Sequence, residues 1–140
     1  MPDLHYRMTA ASNEHQGPYR RVLCLCSVGM LRSPTVAEVL ASEPYRYNTR
    51  SAGLDEQYAL IVADKALLNW ADEIVVMERD HRRQVENLLA EYMLAPVPVL
   101  CLDIPDEFDF RDPKLVRMVP KRYRRAQHIA GVRASAGAAA

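Results

Sequence analysis

The stretch VLCLCSVGMLRSPTVAEVL, residues 22–40, decides how this chain is expected to fold. It opens within a continuous apolar run, residues 21–26, which is typical of a buried strand. A short loop follows and ends in Ser33-Pro34, after which apolar residues recur at helical spacing as far as Glu43. Serine followed by proline is a helix start signal, so we expect Ser33 to cap a helix that begins at Pro34. The stretch therefore predicts a strand, a loop and a helix in succession.

Strands and helices alternate along the rest of the chain. Strand patterns occur at residues 47–51, 73–77 and 99–102, and helical spacing occurs from about residue 58 to 70 and over residues 85–92. The pair Asp112-Pro113 starts a last helix, which we expect Pro120 to kink or split. This alternation predicts an α/β fold with a parallel sheet and helices on both faces. Ligands of such sheets bind beyond the carboxyl ends of the strands, so the site is expected there.

The composition is that of a soluble globular domain. The chain has 140 residues, of which 49% are apolar and 26% charged, and these shares exclude collagen-like repeats and a disulfide scaffold. We predict one domain over residues 19–130, with disordered tails at residues 1–18 and 131–140, because both ends lack periodicity. Three cysteines are an odd number for a disulfide framework, and no apolar run resembles a signal or a membrane span. A cytoplasmic protein is expected.

The charges suggest neither nucleic acid nor membrane as a partner. Lysine plus arginine equals aspartate plus glutamate, at 18 each, so no overall field would attract the chain to a polyanion. Residues 114–125 carry six basic residues and no acid, but cations near the end of a helix usually form a solvated face. The four histidines lack metal-ligand spacing with the cysteines. We therefore expect no metal.

The loop after the first predicted strand has residues suited to a phosphate dianion. Backbone N–H groups of a tight loop can cradle an anion, the helix N-terminus adds partial positive charge, and Arg32 can hold two phosphate oxygens. The same field stabilises a thiolate at Cys26, which makes this residue a candidate nucleophile. An isolated cysteine at a strand end would more often be a core residue, but the spacing to Arg32 and the strand-loop-helix placement favour chemistry.

These residues resemble the low-molecular-weight protein tyrosine phosphatase family. The resemblance covers the first strand, loop and helix, then Ser51-Ala52-Gly53, EIVVMERDHRRQV at residues 73–85, and DIPDEFDFRDPKLV at residues 103–116. It implies a three-layer, flavodoxin-like α/β sandwich whose four-stranded parallel sheet has the order 2-1-3-4. It also implies a phosphomonoester hydrolase, namely a protein tyrosine phosphatase without a cofactor, acting on a phosphorylated protein or a small aryl phosphate.

The resemblance assigns roles to the residues of the loop. Cys26 matches the nucleophile that forms a cysteinyl-phosphate intermediate, and Arg32 matches the arginine that holds the phosphate. Ser33 matches the hydroxyl that supports the thiolate as a leaving group, and Ser51 matches a residue that braces the loop. The backbone N–H groups of the phosphate cradle belong to Ser27, Val28, Gly29, Met30 and Leu31.

The general acid has two candidates. Some bacterial members of the family read I-P-D-P-Y in the acid loop, and aligning that segment with residues 104–108 selects Asp106. Asp103, at the end of the predicted fourth strand, is the alternative. Asp112 is expected to cap the last helix instead.

The sequence also departs from the family pattern. Gly29 stands where the family usually has asparagine, and Leu31 replaces its second loop cysteine. The connection from residue 53 to 73 is short, and the expected aromatic pair is reduced to Phe108 and Phe110, so a more open site is predicted. Two other functions stay open: a non-catalytic phospho-ligand binder, and a thiol-dependent arsenate reductase, for which Cys24 and Cys101 are poorly placed resolving cysteines.

Overall fold

The computed structural model describes residues 19–27, 31–59 and 61–137, with side chains of the last segment described up to residue 131. Residues 1–18 and 138–140, which fall in the predicted tails, lie outside the described residues. Strands and helices alternate as predicted, and their bounds are β1 (Arg21–Cys26), α1 (Arg32–Ala41), β2 (Asn48–Gly53), α2 (Lys65–Trp70), β3 (Glu73–Val76), α3 (Arg79–Glu91), β4 (Val99–Cys101) and α4 (Pro113–Gly137).

The four strands form one parallel sheet with the order β2-β1-β3-β4. This confirms the predicted fold class and strand order. In register, Cys24 of β1 lies opposite Ser51 of β2 and Val75 of β3. Because the strands are parallel, their carboxyl ends meet at one edge, which Cys26 reaches as the last residue of β1.

The core has two parts, one on each face of the sheet. Successive side chains of a strand point to opposite faces, so Cys24 and Cys26 face α1 and α4 whereas Leu23 and Leu25 face α2 and α3. Every residue of β1 after Arg21 is buried, as expected for a central strand covered on both sides. The result is the predicted three-layer sandwich, with Cys26 on the α1 side.

The second helix is shorter than the sequence predicts. We expected it from about residue 58, but α2 begins at Lys65. The preceding segment is extended and pairs with the end of β2: the Gly53 N–H donates to the Ile61 carbonyl at 2.8 Å, and the Ala63 N–H donates to the Gly53 carbonyl at 2.9 Å. The apolar spacing there reflects burial against the sheet, and the Asp64 carboxylate, which accepts the Leu67 N–H at 2.9 Å, starts the helix.

The start of α4 is as predicted. The Asp112 carboxylate accepts the Lys114 N–H at 2.8 Å, which satisfies one of the free donors of the first turn. Pro113 occupies the first helical position, where its missing N–H removes no helical hydrogen bond. The helix also continues past Ala130, at which we placed the end of the domain; the division into domain and tails stays a prediction.

Pro120 does not split α4. A kink, the other predicted outcome, stays a prediction. The helix is continuous from Pro113 to Gly137 with the proline inside it. Leu115 and Val119 before the proline and Tyr123 after it are buried in the same core cluster. Packing of this face on both sides of Pro120 outweighs the loss of one backbone hydrogen bond.

A buried carboxylate ties α4 to the amino ends of the strands. Glu73 opens β3, and its carboxylate accepts the Tyr123 hydroxyl at 2.7 Å and the Arg20 Nη1 at 2.8 Å. Burial and the neighbouring Glu73 charge raise the pKa of Tyr123 far above its usual range. The hydroxyl therefore stays protonated and donates a hydrogen bond to the carboxylate. This network lies at the end of β3 opposite to the predicted site.

Candidate active site

The Cys26 thiol lies at the end of the central strand beside a buried hydroxyl. Cys26 is 3% exposed, and its Sγ is 3.2 Å from the Oγ of Ser33. The Ser33 hydroxyl also donates to the Ala52 carbonyl at 3.5 Å, which connects the first turn of α1 to β2. Such a hydroxyl can donate a hydrogen bond to a thiolate, which stabilises the charged sulfur.

Ser33 does not cap α1, so that expectation is wrong. The helix begins one residue before it, at Arg32, with Leu31 at the N-cap and no side-chain cap. The Ser33 side chain is fully buried and turned toward Cys26 and β2, where it reaches polar partners that the helix end does not offer. The Leu31 carbonyl instead accepts the Thr35 hydroxyl at 2.8 Å.

Arg32 is buried and held at one nitrogen. The residue is 2% exposed, and its Nη1 donates to the Ile104 carbonyl and to a Glu78 carboxylate oxygen, each at 2.8 Å. The Nε lies 3.6 Å from the Asp106 carboxylate, and Nη2 has no hydrogen-bond partner among the described residues. The loops after β3 and β4 therefore orient the guanidinium through one edge.

The two candidate acids occupy different surroundings. The Asp106 carboxylate is 66% exposed and is the one that approaches Arg32. Asp103 has a positive φ of 56° and lines a cavity between α3 and α4. Its backbone carbonyl accepts a hydrogen bond from Nη1 of Arg122 on α4. Of the two candidates, Asp106 is thus the one whose carboxylate the structure brings to Arg32.

The sequence alone assigns no role to His81. His81 is only 5% exposed, and its Nε2 lies 3.0 Å from the Ser27 hydroxyl. Its Nδ1 accepts the Glu78 N–H at 3.2 Å, so the neutral ring carries its proton on Nε2 and donates it to Ser27. Burial lowers the pKa of His81, although the Glu78 charge opposes this, and the neutral ring is favoured. The position three residues after a helix N-cap is the signal that could have indicated this contact.

The structure describes the phosphate cradle only at its two ends. Val28, Gly29 and Met30 lie outside the described residues, so their predicted role stays a prediction. At the first end, the Ser27 carbonyl accepts the Asp55 N–H at 2.7 Å, which ties the loop to the segment after β2. Ser51, the predicted brace, is buried in β2.

The two aromatic residues near the acid segment differ in environment. Phe108 packs against the core cluster on the α1 side, whereas Phe110 is partly exposed. The Arg111 guanidinium lies 4.8 Å from the centre of the Phe110 ring. Of the two, Phe110 offers a ring at the surface.

No disulfide joins the three cysteines, and Cys24 and Cys101 are poorly placed for redox exchange with Cys26. Cys24 is fully buried, and burial raises its pKa well above the usual value. Cys101 is only half-buried and lines the cavity beside β4, because β4 is an edge strand. Burial raises the pKa of Cys101 as well, which disfavours the thiolate at both positions. Among the described residues, no group of three His, Cys, Asp or Glu side chains could hold a metal ion.

No protein-family model matches this chain, and no curated protein sequence matches it. Solved structures do match. The tyrosine phosphatase Wzb from Escherichia coli K30, solved with phosphate, superposes with a TM-score of 0.56 at 18% identity over 76% of this chain and 95% of that one. The YwlE arginine phosphatase from Geobacillus stearothermophilus gives 0.55 at 17% identity, over 84% and 97%. The Erwinia amylovora tyrosine phosphatase AmsI gives 0.54 at 15% identity, over 80% and 96%. The chain thus has the fold of these phosphatases, as its resemblance to the low-molecular-weight family predicted.

No helix in the described part of the chain is long and apolar enough to cross a membrane.

Proposed function

We propose that this chain is a phosphomonoester hydrolase in which Cys26 is the nucleophile. The observation that carries the proposal is the contact of the Cys26 sulfur with the Ser33 hydroxyl at 3.2 Å, next to the buried Arg32 that begins α1. A sulfur beside a hydroxyl donor at a helix N-terminus is suited to react as a thiolate. The similarity in fold to solved phosphatases supports the same function.

In the first step, the Cys26 sulfur attacks phosphorus. A sulfur–phosphorus bond forms while the bond from phosphorus to the leaving oxygen breaks, and Asp106 gives its proton to that oxygen. Nη1 of Arg32 is fixed by Glu78 and Ile104, so its Nε and Nη2 are the edge that can bind two phosphate oxygens. Positioning and charge stabilisation of this kind supply most of the catalysis in phosphoryl transfer.

In the second step, water attacks the cysteinyl phosphate. Asp106, now ionised, takes a proton from the water, and the sulfur–phosphorus bond breaks to return the Cys26 thiolate. The Ser33 hydroxyl at 3.2 Å donates a hydrogen bond to the departing sulfur. Inorganic phosphate is the product.

For the substrate we infer an aryl phosphate, with phosphotyrosine in a protein as its natural form. The resemblance supports this, and the exposed ring of Phe110 lies in the same segment as Asp106. One solved relative is called an arginine phosphatase, so a phosphorylated guanidinium is the substrate to compare. A reactive free thiol requires a reducing compartment, which agrees with the predicted cytoplasmic location.

The test is turnover by the purified chain. We expect hydrolysis of p-nitrophenyl phosphate and of a phosphotyrosine peptide, and complete loss of activity in Cys26→Ser. Asp106→Asn should lower kcat by about 100-fold, the usual scale of general acid catalysis, whereas the matched Asp103→Asn should stay near wild type. Undiminished turnover by Cys26→Ser would exclude the mechanism. Phosphate binding without turnover of any phosphomonoester would make the chain a phospho-ligand binder.

A further inference from the structure

A cavity lined by arginines lies beside β4, outside the groups assigned to catalysis. It has a volume of about 350 Å³ and is bounded by α3, α4 and the edge strand β4. Arginines from both helices line it, namely Arg79 and Arg82 of α3 and Arg122 and Arg125 of α4. We call this cavity the arginine groove.

The positive charge of the arginine groove is poorly compensated. Asp103 is the one carboxylate among the described residues that line it. Arg82 lies 3.9 Å from Glu86, a long contact on the surface of α3. Arg79 and Arg125 form no ion pair with any described residue. Guanidinium groups with so few carboxylate partners favour the binding of an anion between the two helices.

The groove is continuous with the proposed active site. Arg79 and Asp103 also line an adjoining cleft together with Glu78 and Ile104. Glu78 and Ile104 are the two residues that hold Nη1 of Arg32. A substrate whose phosphate is bound by Arg32 therefore has a path over Arg79 into the arginine groove.

At its far end the groove becomes apolar. A neighbouring cavity of about 540 Å³ shares Arg82 and Val99 with it and is lined by apolar residues such as Leu89 and Val97. An extended peptide presents acidic and apolar side chains in sequence, whereas a small phosphate ester would end at the phosphate loop. The combination fits a peptide better than a small molecule.

We propose that the arginine groove is a substrate subsite that binds acidic side chains flanking the phosphorylated residue of a peptide. The proposal rests on the proposed function. It gives part of the basic run at residues 114–125 a role, since Arg122 and Arg125 lie one helical turn apart on the same side of α4. Charge pairs of this exposed kind change rates several-fold and weaken with salt.

The experiment compares two phosphotyrosine peptides that differ only in flanking residues, Asp and Glu in one and Asn and Gln in the other. At low salt the wild type should show a kcat/KM about tenfold higher for the acidic peptide. The double variant Arg82→Gln/Arg125→Gln should lose this preference. The matched control, Arg83→Gln/Arg124→Gln, removes the same charge from exposed neighbours on the same helices and should keep the preference.

Two results would overturn the proposal directly: no preference of the wild type for the acidic peptide, or a preference that survives in Arg82→Gln/Arg125→Gln. An equal loss of the preference in the control would also overturn it, because the preference would then come from the overall charge of the protein and not from the arginine groove. Turnover of p-nitrophenyl phosphate should be the same in all these proteins. Absence of that turnover would refute the proposed function instead. Calorimetric binding of both peptides to Cys26→Ser then tests the groove without catalysis, and equal affinities would reject it.

Discussion

Arg32 and Glu78 form an ion pair across the carboxyl edge of the sheet, with Nη1 2.8 Å from the carboxylate. The arginine is buried whereas the carboxylate is nearly half exposed. The same Nη1 also donates to the Ile104 carbonyl, so the pair fixes the guanidinium plane and leaves its other edge for a ligand. Glu78 is therefore a positioning residue for Arg32, the arginine that we propose to bind phosphate.

Replacing Glu78 should test this positioning. We expect Glu78→Ala to lower kcat/KM for p-nitrophenyl phosphate about tenfold, because the guanidinium gains freedom that substrate binding must remove. Glu78→Gln, whose amide oxygen can accept the same hydrogen bond, should recover most of that loss. Steady-state kinetics and inhibition by inorganic phosphate measure both effects. Glu86→Ala, an exposed control on the helix that follows Glu78, should not differ from wild type. Wild-type kinetics in Glu78→Ala would show that Arg32 needs no such support.

Ser33→Ala should slow the second chemical step more than the first. Its hydroxyl is 3.2 Å from the Cys26 sulfur, and a hydrogen bond to a charged group is commonly worth about 2 kcal/mol, or roughly 30-fold in rate. In the proposed mechanism the thiolate is the leaving group when the cysteinyl phosphate is hydrolysed, so we expect this intermediate to accumulate. Rapid mixing with p-nitrophenyl phosphate should show a burst of p-nitrophenol in the variant. A proportional slowing without a burst would assign the hydroxyl to the first step instead.

His81 should make the stability of the protein depend on pH. Burial lowers its pKa in the folded state from the ordinary value of 6.5, so below about pH 6.5 the unfolded chain binds the proton more readily. This contribution to stability is complete above pH 6.5 and is lost as the pH falls toward the folded-state pKa. In urea unfolding, the free energy of unfolding should decrease less between pH 7.5 and pH 5.5 in His81→Gln than in wild type. His128→Gln, at an exposed position on α4, should behave as wild type; an unchanged slope in His81→Gln would contradict the assignment.

Tyr123→Phe should destabilise the fold without changing the chemistry. It removes the 2.7 Å hydrogen bond to the buried Glu73 carboxylate, at a cost of about 2 kcal/mol in the free energy of unfolding. Tyr45→Phe is the matched control, since its ring lies 5.5 Å from that of Tyr123 and its hydroxyl has no hydrogen-bond partner among the described residues. Denaturant unfolding and kcat, measured together, check the prediction. Equal stability of the two variants would show that the carboxylate does not depend on this donor.

The order of strands and helices was predictable because it follows from local patterns. Apolar runs, helical spacing and caps such as Asp112 act over a few residues, and the structure confirms the elements that they indicate. The start of α2 was not predictable in this way, since Ile61 and its neighbours are apolar for burial against Gly53 rather than for a helical face. The helix α4 is not split at Pro120 for a similar reason, since core packing on both sides of the proline overrides a local helix breaker.

The sequence by itself determined that Cys26 ends a buried strand and that a helix follows within a few residues of Arg32, because both depend on neighbours in the chain. Only the tertiary structure decided what surrounds them. The Ile104 carbonyl reaches Arg32 across 72 residues, and His81 reaches Ser27 across 54. Such contacts arise where the carboxyl ends of parallel strands meet, and no local pattern records which loop side chains turn inward there.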